Sequence, residues 1–220
     1  MPLLFVDLDN TLSDRAASFR RWAAEYLNER FGEASKQMID AMVIADGDGI
    51  TSKSEAAAAL AEVLGLNPAE RAEIIKVMRA GTLAHLRPTP GITEALDKAH
   101  AAGFRPFIVT NGKVSQQEGK VARLGLADHI DGMVVSEGCG FTKPDPQIFR
   151  VAARAAGGTL TGAWMIGDAA ESDIAGAAAA AIDSVWLSRG REYPAGYARP
   201  TLIADSFPQA VDLVLDNSLT

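Results

Sequence analysis

The chain has one cysteine, Cys139, and only three histidines, His85, His100 and His129, in 220 residues. A single thiol excludes an internal disulfide framework, and neither zinc-type cysteine pairs nor an H-E-x-x-H run is present. A G-x-S-x-G elbow and a G-x-x-x-x-G-K-[ST] phosphate loop are also missing, which removes serine-hydrolase chemistry of that type and P-loop nucleotide hydrolysis. Basic charge is in deficit: 21 Lys and Arg against 28 Asp and Glu leave a net charge of -7. A general affinity for a nucleic-acid polymer or an anionic membrane needs a basic face, so neither is an expected partner. No apolar run approaches ~20 residues without a charge, and the alanine-rich stretch near Ala175 is too short to span a bilayer. The chain opens directly on a strand with no leader-like segment before it, and a reducing cytoplasm is the expected location.

What is present is a set of short apolar runs, each ending in a polar turn. Leu3-Leu4-Phe5-Val6 leads into Asp7-Leu8-Asp9-Asn10-Thr11. An unbroken apolar run of this kind reads as a strand buried on both faces of a parallel sheet. Aspartate is depleted in strands, so two acids at its end need a chemical reason. Four more runs follow at Phe107–Thr110, Met133–Ser136, Trp164–Gly167 and Ser184–Leu187. Helical patterns alternate with them: Gly91–Ala102, Val114–Leu124, Pro146–Ala156, Ile174–Ala181 and Pro208–Leu215. Gly103 and Gly125 stand where left-handed C-terminal caps are expected. The alternation predicts an α/β fold, a doubly wound parallel Rossmann-like sheet with right-handed crossovers.

The first crossover is far too long, since the segment between Val6 and Phe107 holds four helical patterns of its own. These are Ala16–Phe31, Gln37–Ile44, Ser54–Leu64 and Pro68–His85. A core domain of residues 1–13 and 87–220 and a small all-helical domain of residues 14–86 are therefore expected, the second lying over the mouth of the sheet. Phe19, Trp22 and Tyr26, at helical spacing, read as the core of that helical domain. Asp46-Gly47-Asp48-Gly49 with Glu55 has part of the spacing of a calcium loop, but Ile44 fills the first ligand position, so an acidic turn between helices is the better reading. Arg15, Arg20, Arg21 and Lys53 form either a solvated face or contacts to an anionic ligand.

Four polar signals fall at strand ends in chain order: Asp7, Asp9 and Thr11; Thr110-Asn111-Gly112; Lys143-Pro144-Asp145-Pro146; and Gly167-Asp168 followed by Asp173. Taken singly, each fits an ordinary turn. Taken together, with Asp173-Ile174-Ala175-Gly176-Ala177 closing the series, the chain resembles the haloacid dehalogenase (HAD) superfamily, specifically its phosphatases with a helical cap inserted after the first strand. The resemblance implies a HAD-like core, a Mg2+ cofactor and hydrolysis of small phosphomonoesters through an aspartyl phosphate. It assigns Asp7 as nucleophile and Asp9 as the acid that protonates the leaving oxygen and then takes a proton from water. Metal ligands implied are the Asp7 side chain, the Asp9 backbone carbonyl and the Asp168 side chain, with Asp173 acting through water or by holding a ligand in place. Thr110 through its hydroxyl and the backbone N–H groups of Asn111 and Gly112 would hold phosphate oxygens, and Lys143 would neutralise charge in the transition state and restrain Asp7.

Elementary electrostatics agrees with such a site. Asp7, Asp9 and Asp168 brought within ~4 Å would repel by roughly 4 kcal/mol per pair at an effective dielectric near 20, which demands a cation. The same crowding is expected to keep Asp9 protonated for its role as an acid. Asn10 and Ala181 depart from the family pattern: Gly or Asp is commoner at the first, and Gly often ends the helix at the second. Two other readings stand beside the phosphatase: a 2-haloacid dehalogenase-type hydrolase, disfavoured by the acid at Asp9, and a catalytically silent binding or regulatory module. The substrate and the oligomeric state are not written in the sequence.

Overall fold

The computed structural model describes residues 1–218. In chain order the elements are β1 (Leu3–Val6), α1 (Arg15–Phe31), α2 (Lys36–Asp46), α3 (Lys53–Leu64), α4 (Pro68–Ala84), α5 (Ile92–Ala101), β2 (Arg105–Thr110) and α6 (Val114–Leu124). They continue with β3 (Met133–Val135), α7 (Ser136–Cys139), α8 (Gln147–Ala155), β4 (Trp164–Gly167), α9 (Ala175–Ala179), β5 (Asp183–Leu187), β6 (Leu202–Ala204) and α10 (Phe207–Ser218). Two compact units result, Met1–Ser13 with Pro88–Thr220, and Asp14–Arg87. Among the described residues no helix is long and apolar enough to cross a membrane.

The first unit is built on a parallel sheet of order β3-β2-β1-β4-β5-β6. All four residues of β1 are fully buried, as its continuous apolar sequence requires of a central strand covered on both faces. Leu3 and Phe5 face a core with Phe107, Val109, Ile148 and Phe149, and the Phe5 and Phe149 rings meet edge to face at 5.8 Å. Each such side chain contributes about 1.5–3 kcal/mol by leaving water. Winding proceeds from β1 through β2 to β3 on one side and from β4 through β5 to β6 on the other. The direction therefore reverses between β1 and β4, and that reversal opens a crevice at the carboxyl ends of these strands.

Three local departures from the sequence expectation have physical causes. The sheet has a sixth strand, β6, where five were expected; it is a three-residue edge strand with Ile203 half exposed, too short and too mixed in burial to show a periodic pattern. The stretch read as one helix from Ile174 begins earlier, as a π-helical turn at Ala170–Ile174, before α9. Asp173 lies inside that wide turn and is buried. Met133–Ser136 divides into a three-residue strand and the first residue of α7. The two expected glycine caps are left-handed, with Gly103 at φ 86° and Gly125 at φ 67°.

In the second unit, side chains of Asp14, Ser35, Ser52 and Asn67 cap the four helices, and Asn67 forms a reciprocal capping box with Glu70. Phe19, Trp22, Leu27, Met42, Leu60 and Met78 are buried in its core, and Tyr26 packs against them. The Asp46 carboxylate, one of the acids of the calcium-like spacing, is gripped by Arg15 Nη1 and Nη2 at 2.7 and 2.9 Å. Arg20 pairs with Asp40.

Two substitutions test this packing. A Cβ at Gly81 would lie 1.9 Å from Trp22 Cδ1. Gly81→Ala is accordingly expected to destabilise the Asp14–Arg87 unit by about 1–3 kcal/mol in urea unfolding despite the better helix propensity of alanine. Ala181 is exposed and left-handed at φ 55°. Ala181→Gly is expected to raise stability by about 1 kcal/mol, read as a higher thermal midpoint; a lower midpoint would refute the strain.

Candidate active site

Asp7 follows β1 directly, and its backbone N–H donates to Ile166 O of β4 at 2.9 Å. Asn10 then turns the chain in a left-handed conformation, φ 59°, one that asparagine tolerates, which accounts for this residue at a place that also suits Gly or Asp. On the neighbouring strand, Gly167 precedes Asp168; a Cβ there would lie 2.2 Å from Asp173 Oδ2, so the site packs against bare backbone. Carboxylate oxygens of Asp7, Asp168 and Asp173 lie within 4.8 Å of one another, all three residues buried. Asp9 was expected here through its backbone carbonyl and Asp173 through water or as a support; the carboxylate that joins Asp7 and Asp168 in the cluster is that of Asp173. The π-helical turn brings Asp173 back over Gly167, where its Oδ2 accepts from Ala169 N–H at 3.0 Å.

Lys143 enters the cluster from the loop after α7. Its ammonium, 1% exposed at the side chain, contacts Asp7 Oδ1 at 2.6 Å and Asp173 Oδ1 at 2.7 Å and donates to Val109 O at 2.7 Å. These three contacts use all three of its hydrogens. The backbone of Lys143 is fixed too: Asn111 Nδ2 donates to its carbonyl at 3.0 Å, and its N–H donates to Asn111 Oδ1 at 2.9 Å. The Asn111 side chain is thus a clamp between two loops, and Gly112 N–H is taken by Ser136 Oγ at 3.0 Å. Of the backbone N–H groups expected to hold phosphate, that of Gly112 is thus engaged within the protein, whereas the Asn111 clamp uses its side chain only.

Asp9 is placed differently from the other acids. Its Oδ2 meets Lys120 Nζ at 2.5 Å and lies 3.4 Å from Gln117 Nε2. The like-charge crowding expected around Asp9 is therefore joined by a cation on the same carboxylate. Asp168 also has cationic neighbours, with Arg189 Nη1 at 2.8 Å and Arg191 Nη2 at 3.0 Å from its Oδ2, while Trp186 Nε1 donates to its carbonyl. Lys120, Gln117, Arg189 and Arg191 were not singled out from the sequence. The detectable signal was a glutamine on the inward face of an amphipathic helix seven residues past Thr110, and an Arg-x-Arg that begins two residues past the end of β5.

Burial dominates the titration of the site. It pushes the Asp7 carboxyl up from 3.8 to about 7; Lys143 pulls the other way, and Asp173 adds to the rise. Burial and Asp173 likewise raise Asp168 to about 6, against the pull of Arg189. For Lys143, burial acts to lower the pKa, but the carboxylates of Asp173 and Asp7 outweigh it and hold the ammonium charged. The cluster thus presents oxygen ligands that a proton or a hard divalent cation can satisfy.

A doubly wound sheet with buried carboxylates and a lysine at its switch point defines a hydrolase-type α/β site. The sequence profile of the haloacid dehalogenase-like hydrolases matches residues 1–181, and the chain belongs to that family. Among curated relatives, it is 34% identical over 108 residues to the glyceraldehyde 3-phosphate phosphatase of Pyrococcus abyssi, covering 49% of this chain and 45% of that one. It is 36% identical over 129 residues to the pyrimidine 5'-nucleotidase YjjG of Escherichia coli, covering 58% of this chain and 56% of that one. The match thus spans about half the length of these relatives. The phosphoglycolate phosphatase of Mesorhizobium japonicum is 29% identical with 86% of this chain and 83% of its own covered. The magnesium-bound HAD-hydrolase YfnB of Bacillus subtilis superposes with a TM-score of 0.83 at 20% identity, covering 97% of this chain and 98% of that chain.

A stability measurement tests the electrostatics. Asp7 and Asp168, at about 7 and about 6 in the fold against 3.8, retain protons that they shed in the unfolded chain. Their contribution is fully present below pH 4 and is lost as pH rises to about 7. Without divalent cations, this loss is expected in the unfolding midpoint over that window. Added magnesium should raise the midpoint more at pH 7.5 than at pH 5, since it competes with protons for the same oxygens; an equal shift at both would refute the carboxylate site.

Proposed function

We propose that the protein is a magnesium-dependent phosphatase of small phosphomonoesters that works through an aspartyl phosphate on Asp7. The observation that carries this reading is the hold of Lys143 on Asp7: the ammonium occupies Oδ1 at 2.6 Å, which leaves Oδ2 as the attacking atom. The four strand-end motifs and the phosphatase names of the relatives support the same chemistry. The three buried carboxylates fit a hard divalent cation, and the backbone carbonyl of Asp9 is the further ligand that the family pattern implies. Magnesium bound there would offset the negative charge shared by nucleophile and phosphoryl group.

In the first half-reaction an Asp7 Oδ2–P bond forms as the P–O bond to the leaving group breaks. Asp9 passes its proton to the departing oxygen. In the second, Asp9 takes a proton from water as the water oxygen attacks phosphorus, and the Asp7 oxygen departs with its electron pair. Thr110, buried at the end of β2, contributes its hydroxyl to a phosphoryl oxygen. Lys143 orients Asp7 and offsets charge through it. Asn111 and Gly112 act by holding the loops that carry Thr110 and Lys143.

Asp7→Asn tests the assignment. It keeps the shape of the side chain but loses the nucleophile, so turnover of p-nitrophenyl phosphate with magnesium is expected to fall by about a thousand-fold or more, with an unchanged circular dichroism spectrum. Comparable turnover in the variant, or turnover by the parent protein that persists after chelation of the metal, would overturn the mechanism.

A further inference from the structure

Helix α6 begins two residues after Gly112, and its first two turns place Gln117 and Lys120 three positions apart on one face. Gln117 is 1% exposed, and burying an amide is costly unless it is hydrogen-bonded. Its Nε2 lies 2.6 Å from Thr110 Oγ1, 3.3 Å from Asn111 O and 3.4 Å from Asp9 Oδ2. A backbone carbonyl and a carboxylate both call for a donor here, which orients the amide with its NH2 toward them. Thr110 Oγ1 is then the acceptor of the shortest contact, which leaves its own hydrogen unused by Gln117. One turn further along, Lys120 Nζ meets Asp9 Oδ2 at 2.5 Å. A single helix face therefore holds both the residue that moves the proton and the residue that meets the phosphoryl oxygen.

We propose that Lys120, with Gln117 beside it, is a positioning residue: it fixes Asp9 Oδ2 and so aims the Asp9 carboxyl at the leaving-group oxygen. This rests on the phosphatase reading and deepens it. The proton still travels from Asp9 to the departing oxygen as the P–O bond breaks; Lys120 touches neither substrate nor phosphorus. Misplacing a reacting group by about 1 Å can cost about a hundred-fold in rate, and the loss falls where proton transfer is needed. An alkoxide leaves poorly without a proton, whereas p-nitrophenolate needs little help.

The test is kcat/KM for p-nitrophenyl phosphate and for an alkyl phosphate such as glycerol phosphate, with magnesium, in the parent protein, Lys120→Met and Lys120→Arg. Lys120→Met is expected to lose about a hundred-fold on the alkyl ester and less than about ten-fold on the aryl ester, with Lys120→Arg recovering most of the alkyl activity. Equal loss on both esters, or no loss on either, would overturn the positioning role, the first being what a merely structural ion pair gives. If Lys120→Met fails to fold, Lys120→Ala, which also removes the ammonium, carries the same comparison. Absence of magnesium-dependent turnover on both esters in the parent protein would overturn the phosphatase reading and this inference together, before any variant is made.

Discussion

Everything at the site follows from one buried ammonium. Lys143 sits between Asp7 and Asp173, two carboxylates that would otherwise repel by roughly 4 kcal/mol at ~4 Å and an effective dielectric near 20. With its third hydrogen on Val109 O, the lysine is locked between the end of β2 and the end of β1. The cost of burying its charge is offset by the carboxylates of Asp173 and Asp7 beside it. One cation does not balance three acids: burial, with the charge of Asp173 adding to it, raises the pKa values of Asp7 and Asp168, and two arginines lie on Asp168.

The sheet explains why such a cluster can exist. β1 and β4 are neighbours that belong to opposite winding directions, so their carboxyl ends open into a crevice that no crossover helix fills. Asp7 and Asp168 are the first residues beyond those two strands. Gly167 has no side chain, which lets the π-helical turn bring Asp173 down onto the strand end. The loop that delivers Lys143 is fixed by the two-way hydrogen bonding of Asn111 to its backbone. The Asn111 side-chain amide is thus committed to architecture, while Thr110 before it lies buried at the end of β2 against Gln117.

Much of this was legible in the sequence. The apolar runs located five of six strands, because a buried parallel strand excludes polar residues along its whole length. The four motifs, taken together and with the family resemblance they carry, named Asp7, Asp168, Asp173 and Lys143, although each alone fits an ordinary turn. β6 escaped notice because an edge strand of three residues, with Ile203 half exposed, carries too little pattern. Gln117 and Lys120 were hidden for another reason: on an amphipathic helix, a polar residue on the inner face looks the same in sequence whether it meets solvent or a carboxylate.

The sequence by itself determined the alternation of strands and helices, the family and the identity of the acids, since these depend on residue type and on spacing along the chain. Only the tertiary structure decided how the charges are shared out. Lys143 goes to Asp7 and Asp173, Arg189 and Arg191 go to Asp168, and Lys120 goes to Asp9. These partners are separated by between 21 and 136 residues along the chain. Coulomb interactions depend on distance through space, and folding sets that distance.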